Sequence, residues 1–78
     1  MPRYFFNITY GEESYHDQIG EILSNDFAAW QEATASAGQS LRDLDGKLRP
    51  GTTWRMEVGD TRGSIIFSIE VRARKAIA

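Results

Sequence analysis

Arg3-Tyr4-Phe5-Phe6-Asn7-Ile8-Thr9-Tyr10 is the stretch that decides the fold. Tyr4, Phe6, Ile8 and Tyr10 fall on one side and Arg3, Phe5, Asn7 and Thr9 on the other, the period of a half-buried strand. A strand with one apolar face has to be covered by a second layer, and the rest of the chain is read for what supplies it.

Downstream, Gly11-Glu12-Glu13-Ser14 carries turn chemistry, and Tyr15-His16 can begin an antiparallel return strand. Asp17-Gln18-Ile19-Gly20 has Asp first and Gly last, as a type I turn favours, so the return strand is expected as two short pieces around a kink, resuming at Glu21-Ile22-Leu23. From Ser24 the period changes. Ser24, Asn25 and Asp26 are three candidate N-caps, and Phe27, Trp30, Ala33, Ala37, Leu41 and Leu44 recur at the spacing of one helical stripe, with Leu48 a further candidate. Gly46 and Pro50 place the helix end near Asp45. Trp54, Met56 and Val58 then alternate with Arg55 and Glu57, and the segment from Gly59 to Gly63 reads as a hairpin loop. In the last strand Ile65, Phe67, Ile69 and Val71 share one face, leaving Ile66, Ser68, Glu70 and Arg72 on the other.

The expected fold is therefore α+β: a β-β-α-β-β two-layer sandwich with one amphipathic helix on a four-stranded, mainly antiparallel sheet, in a single domain over residues 1–78. Seventeen Leu, Ile, Val and Phe residues leave a small core, to which Trp30 and Trp54 are assigned because each falls on its element's buried stripe; a ligand slot between the layers is their other reading. One face of the sheet stays bare.

Composition narrows the function. With no cysteine there is no disulfide framework, no Cys-based zinc site and no thiol catalysis. A formal net charge of −2 gives no global attraction to nucleic acid or anionic lipid. Neither an apolar signal core at the N-terminus nor a run near the ~20 apolar residues of a membrane span is present, so a cytoplasmic, non-membrane protein is expected.

Individual motifs yield little chemistry. Pro2 would become a secondary amine if Met1 were removed, the general base of small tautomerases, with Arg3, Arg55 or Arg72 to hold an acidic substrate; the β-β-α-β-β order differs from theirs. His16 is the only histidine and reads as an exposed turn residue, so neither a triad nor a metal site is expected, and no cofactor. Asp43-Leu44-Asp45-Gly46 hints at a calcium loop, but aligning its glycine puts Leu41 at the first ligand position and Thr52 at the twelfth, which excludes it. Asn7-Ile8-Thr9 matches a glycosylation pattern inside a strand and carries no weight. Arg72, Arg74 and Lys75, with Arg62, are the one basic concentration; with Phe5 on the bare face they support a nucleic-acid-binding reading, opposed by Glu57 and Glu70 on that face.

Two groups of residues resemble a known family. Met1-Pro2-Arg3-Tyr4-Phe5-Phe6, and Asp17-x-x-Gly20-x-x-Leu23 followed by a helix with Ala29 and Ala33, resemble small proteobacterial proteins abundant in rhizobia and described as a domain of unknown function. The resemblance covers essentially the whole chain, although members often carry Asp-Gly where this sequence has Tyr10-Gly11, and it implies no catalytic or ligand residues. The Asp-x-x-Gly turn before an Ala-containing helix is also similar to the partner-neutralising domain of HicB-type antitoxins, a likeness of local pattern only.

The sequence thus favours a non-enzymatic protein-interaction module acting through its sheet face or edge, with Arg3, Phe5, Arg55, Ile66 and Arg72 as the expected surface and a homodimer or other protein as partner. Nucleic-acid binding ranks second and the Pro2 enzyme third.

Overall fold

A computed structural model describes residues 1–44 and 47–77 of the chain. Its elements run β1 (Arg3–Tyr10), β2 (Glu13–Tyr15), β3 (Glu21–Ile22), α1 (Asp26–Leu44), β4 (Thr53–Gly59) and β5 (Ile65–Arg72). The sheet order is β2-β1-β4-β5, every pairing is antiparallel, and β3 pairs with β1 beyond the end of β2. The expected α+β architecture is the one observed. The expected kink is also present, splitting the return strand into β2 and β3. The first piece starts earlier than Tyr15-His16, because Gly11, at φ 60°, closes a two-residue turn with Glu12 and sets Tyr10 opposite Glu13.

Two local devices start the helix. The Asn25 side-chain oxygen accepts the Ala28 N–H at 2.8 Å, and the Asn25 carbonyl accepts the Ala29 N–H at 3.1 Å, so Asn25 is the N-cap among the three candidates. One turn of chain away in space, the buried Tyr4 hydroxyl donates to the Asp26 carboxylate at 2.7 Å, tying the helix start to the centre of the sheet. The helix terminus expected at Asp45 and Gly46 lies outside the described residues.

The buried core consists of Tyr4 on β1, Trp54, Met56 and Val58 on β4, and Ala29, Ala33 and Ala37 on α1. Ala33 and Ala37 are buried on the expected stripe, but its first turn is corrected, with Ala29 buried in place of Phe27 and Trp30. The stripe drawn through Phe27 and Trp30 is rotated outward: Phe27 is 67% exposed and Trp30 38%, while Leu41 and Leu44 are half-buried at its margin. The sheet already brings two large aromatic side chains to the interface, so the helix can approach only with a small-residue face. Trp54 is core as expected; Trp30 lies on the helix flank, its ring centroid 5.2 Å from that of Phe67.

A second correction concerns β5. Met56 pairs with Ile69 and Val58 with Phe67, but Gly59 pairs with Ile65, so a β-bulge places Ile66 out of step. Simple alternation puts Ile66 on the bare face. The bulge instead sets Ile65 opposite Gly59 on that face, 49% exposed, and Ile66 packs half-buried against the core cluster.

Candidate interaction surface

The outer face of the sheet is built around the turn from Asp17 to Gly20. Between the stretch of β1 paired with β2 and that paired with β3, Phe5, Phe6 and Asn7 have no strand beside them on that edge. Asp17 fills the gap. Its Oδ2 accepts the Phe6 N–H at 3.2 Å, its Oδ1 accepts the Ile19 and Gly20 N–H groups at 3.1 and 2.9 Å, and its own N–H donates to the Asn7 side chain at 2.9 Å. Partial burial works to raise the Asp17 carboxyl, but the Gly20, Phe6 and Ile19 N–H donors outweigh it and hold the group below its ordinary value. Gly20, at φ 76°, lies so close that an added Cβ would stand 2.8 Å from the Tyr4 carbonyl and 2.9 Å from the Phe5 ring. The turn therefore folds over the outer face and half-covers Phe5, while Arg3 is held by donation to the Ile19 carbonyl at 2.7 Å.

The remaining expected surface residues form a charged cluster on that face. Glu70 is bridged by Arg55 on one oxygen and by Arg72 on the other, the latter at 2.8 Å. The hydrogen bonds from Arg55 and then Arg72 hold the Glu70 carboxyl below its usual range. Arg55 and Arg72 are thereby partly neutralised as phosphate ligands. Arg3 and Phe5 stand together under the Asp17 turn, and Arg55 and Arg72 meet at Glu70. Ile66 joins neither group.

Other candidate chemistry resolves into structural roles. The Pro2 carbonyl accepts the Leu23 N–H at 3.0 Å, continuing the β1–β3 pairing. A groove of about 680 Å³ beside the Gly11 turn is lined by Glu12 and Glu13 together with Lys47 and Arg49, so it offers no single sign of charge. The Tyr10 hydroxyl in that groove is already engaged, donating to the Lys47 carbonyl and accepting the Arg49 N–H at 3.1 Å. His16 is exposed beside Phe5, Asp17 and Asp60. Among the described residues no cluster of three His, Cys, Asp or Glu side chains is placed to hold a metal ion, and no helix is long and apolar enough to cross a membrane.

The sequence predicts a contact through a sheet face or edge without specifying the strand; among the described residues the long open edge is β5. Because the Phe6 N–H points away from β4, alternation turns the backbone groups of Phe5, Asn7 and Thr9 toward β4. The register then directs Trp54, Met56 and Val58 toward β5, which meets them with Val71, Ile69 and Phe67. Ser68, Glu70 and Arg72 are left with backbone N–H and C=O groups facing outward from the sheet. Beside this row Phe67, Ile69 and Val71 are only half-buried, since the buried alanines of α1 pack on the centre of the sheet.

A family described as a domain of unknown function, DUF6894, matches residues 3–72. The chain belongs to that family. The matched region takes in every strand and the helix, so the Asp17 turn and the β5 edge both lie inside the family domain. No curated protein and no solved structure matches the chain.

Proposed function

We propose that this DUF6894 domain is a non-enzymatic protein-interaction module that acts through its sheet, with the β5 edge as the main contact. The observation that carries the reading is the eight-residue strand Ile65–Arg72, which ends the sheet with one side unpaired and with Trp30 partly exposed beside it. Open strand edges of this length are templates for a further strand, and native chains blunt them with proline, charged side chains, β-bulges or short length. β5 has no proline and no lysine; its bulge is confined to the Ile66 end, and its charges, Glu70 and Arg72, are joined in an ion pair on the outer face. Strongly shifted titrating groups often mark catalytic centres, but here Tyr4, Asp17 and Glu70 owe their shifts to bonds that hold the helix, the turn and the sheet face. Arg55 and Arg72 contribute the polar margin of the surface, Arg3 and Phe5 lie farther across the same face under the Asp17 turn, and Ile65 takes the outward position expected of Ile66.

The test is capture from the native cell lysate at low and high salt, with wild type and Ser68→Pro compared. Proline at Ser68 removes an outward-facing N–H and leaves the β4 ladder intact. The proposal expects protein retained by wild type at both salt concentrations and lost by Ser68→Pro. Retention of nucleic acid that vanishes at high salt and ignores Ser68→Pro would overturn it in favour of a backbone-binding role.

A further inference from the structure

We infer that the occupant of the β5 edge is β5 of a second copy of this chain, paired antiparallel about a two-fold axis at Ile69. The inference rests on the interaction-module reading above and names the partner for it.

The edge is unlike the other one. At the far side of the sheet β2 has three residues and β3 two, and the Asp17 turn closes the gap between them. Among the described residues, β5 is therefore the one long open edge. A chain of 8.8 kDa folded as a typical monomer exposes about 4,800 Å², whereas this one exposes 5811 Å². Part of the excess belongs to the extended residues that follow β5. The exposed apolar surface beside β5 includes Phe27 and Trp30, three residues apart on the helix flank whose Trp30 ring meets Phe67 on β5.

Self-pairing is favoured by the side-chain pattern. With the axis at Ile69, Ser68 stands opposite Glu70 of the second copy and Phe67 opposite Val71, so the regular stretch of the strand from Phe67 to Val71, beyond the bulge at Ile66, pairs in each copy. The outward N–H and C=O groups of Ser68 and Glu70 then meet as hydrogen-bonded pairs. On the helix side, Phe67, Ile69 and Val71 of both copies form one continuous apolar row flanked by the two Trp30 rings. Moving the axis to Glu70 would oppose two carboxylates, which is unfavourable, and moving it to Val71 would run the pairing past the end of the strand at Arg72. Closed two-fold assembly also removes the open edge from both copies.

The absence of cysteine makes the register directly measurable. Separate Ser68→Cys and Glu70→Cys chains are mixed and oxidised gently. Opposed residues of a hydrogen-bonded pair have Cα atoms about 5.5 Å apart, inside the disulfide range, whereas two copies of position 68 lie beyond its limit of about 7 Å. The mixture should cross-link at least about tenfold faster than either variant alone, with Ile69→Cys as a second variant that cross-links with itself. Light scattering at micromolar concentration should show a wild-type dimer and a Ser68→Pro monomer. A wild-type monomer, or a dimer with no preference for the mixed pair, would overturn the inference. If a monomeric wild type still captured another protein and lost it on Ser68→Pro, the interaction-module reading would stand without the self-pairing.

Discussion

The Asp17 carboxylate accepts the Phe6 backbone N–H at 3.2 Å, and in doing so a side chain stands where a neighbouring strand would otherwise be. The same carboxylate shapes its own turn through the Ile19 and Gly20 N–H groups. One residue therefore closes the gap between β2 and β3 along β1 and folds the chain over Phe5, while β5 at the opposite side is the long open edge.

Asp17→Ala should remove this closure and cost about 2 kcal/mol, the scale of losing charge-assisted bonds to partly buried donors. Asp17→Asn should lose less, because the amide oxygen can keep some of the acceptors. Since the Asp17 pKa is lowered by folding, its contribution is present above the unfolded carboxyl value near ~4 and disappears as pH falls through the lower folded value. Glu70 acts with the same sign. Denaturant melts from pH 7 to 2 should show wild type losing stability below about pH 4.5, with a shallower decline in Asp17→Asn.

Gly20 and Gly38 should respond oppositely to alanine. At Gly20 the positive φ and the approach of the Tyr4 carbonyl make Gly20→Ala cost at least about 2 kcal/mol, lowering Tm by roughly 10 °C. Gly38 sits inside α1 with nothing within 4 Å of an added Cβ. Gly38→Ala should therefore raise Tm by about 4 °C through helix propensity alone. Thermal melts followed by circular dichroism check both signs.

The Tyr4 hydroxyl should ionise late. The hydrogen bond to Asp26, burial and the nearby negative charge push its hydroxyl up to about 12. A folded value raised above the unfolded value near 10 means that the stabilisation is complete below about pH 10 and is lost as pH rises toward 12. Ultraviolet titration should show a late-ionising component that Tyr4→Phe removes, and Tyr4→Phe should flatten the alkaline loss of stability.

Much of this arrangement is legible in the sequence because its signals are local. The alternation of Tyr4, Phe6, Ile8 and Tyr10, that of Trp54, Met56 and Val58, the Asn25 cap and the Asp17–Gly20 bend each depend on residues within a few positions of one another. Ala33 and Ala37 are legible as buried, but the first turn of the helix is not, because Phe27 and Trp30 outweigh Ala29 in any hydrophobic count while the space left by Trp54 and Tyr4 favours the alanine. The bulge at Ile66 is set by pairing with Gly59 across the hairpin, and the Tyr4–Asp26 and Tyr10–Lys47 bonds join residues far apart in the chain. The open β5 edge depends on strand order, which alternation within single strands does not specify.

Amide hydrogen exchange along β5 tests the central claim, that this edge pairs with the same edge of a second copy, most directly. The N–H groups of Phe67, Ile69 and Val71 face β4 and should be protected at every concentration, whereas those of Ser68 and Glu70 face outward and should exchange fast in dilute protein. The account predicts that Ser68 and Glu70 become protected as the protein is concentrated into the micromolar range and the dimer fills. Ser68 and Glu70 amides that remain unprotected at all concentrations, with Ile69 protected throughout, would contradict it.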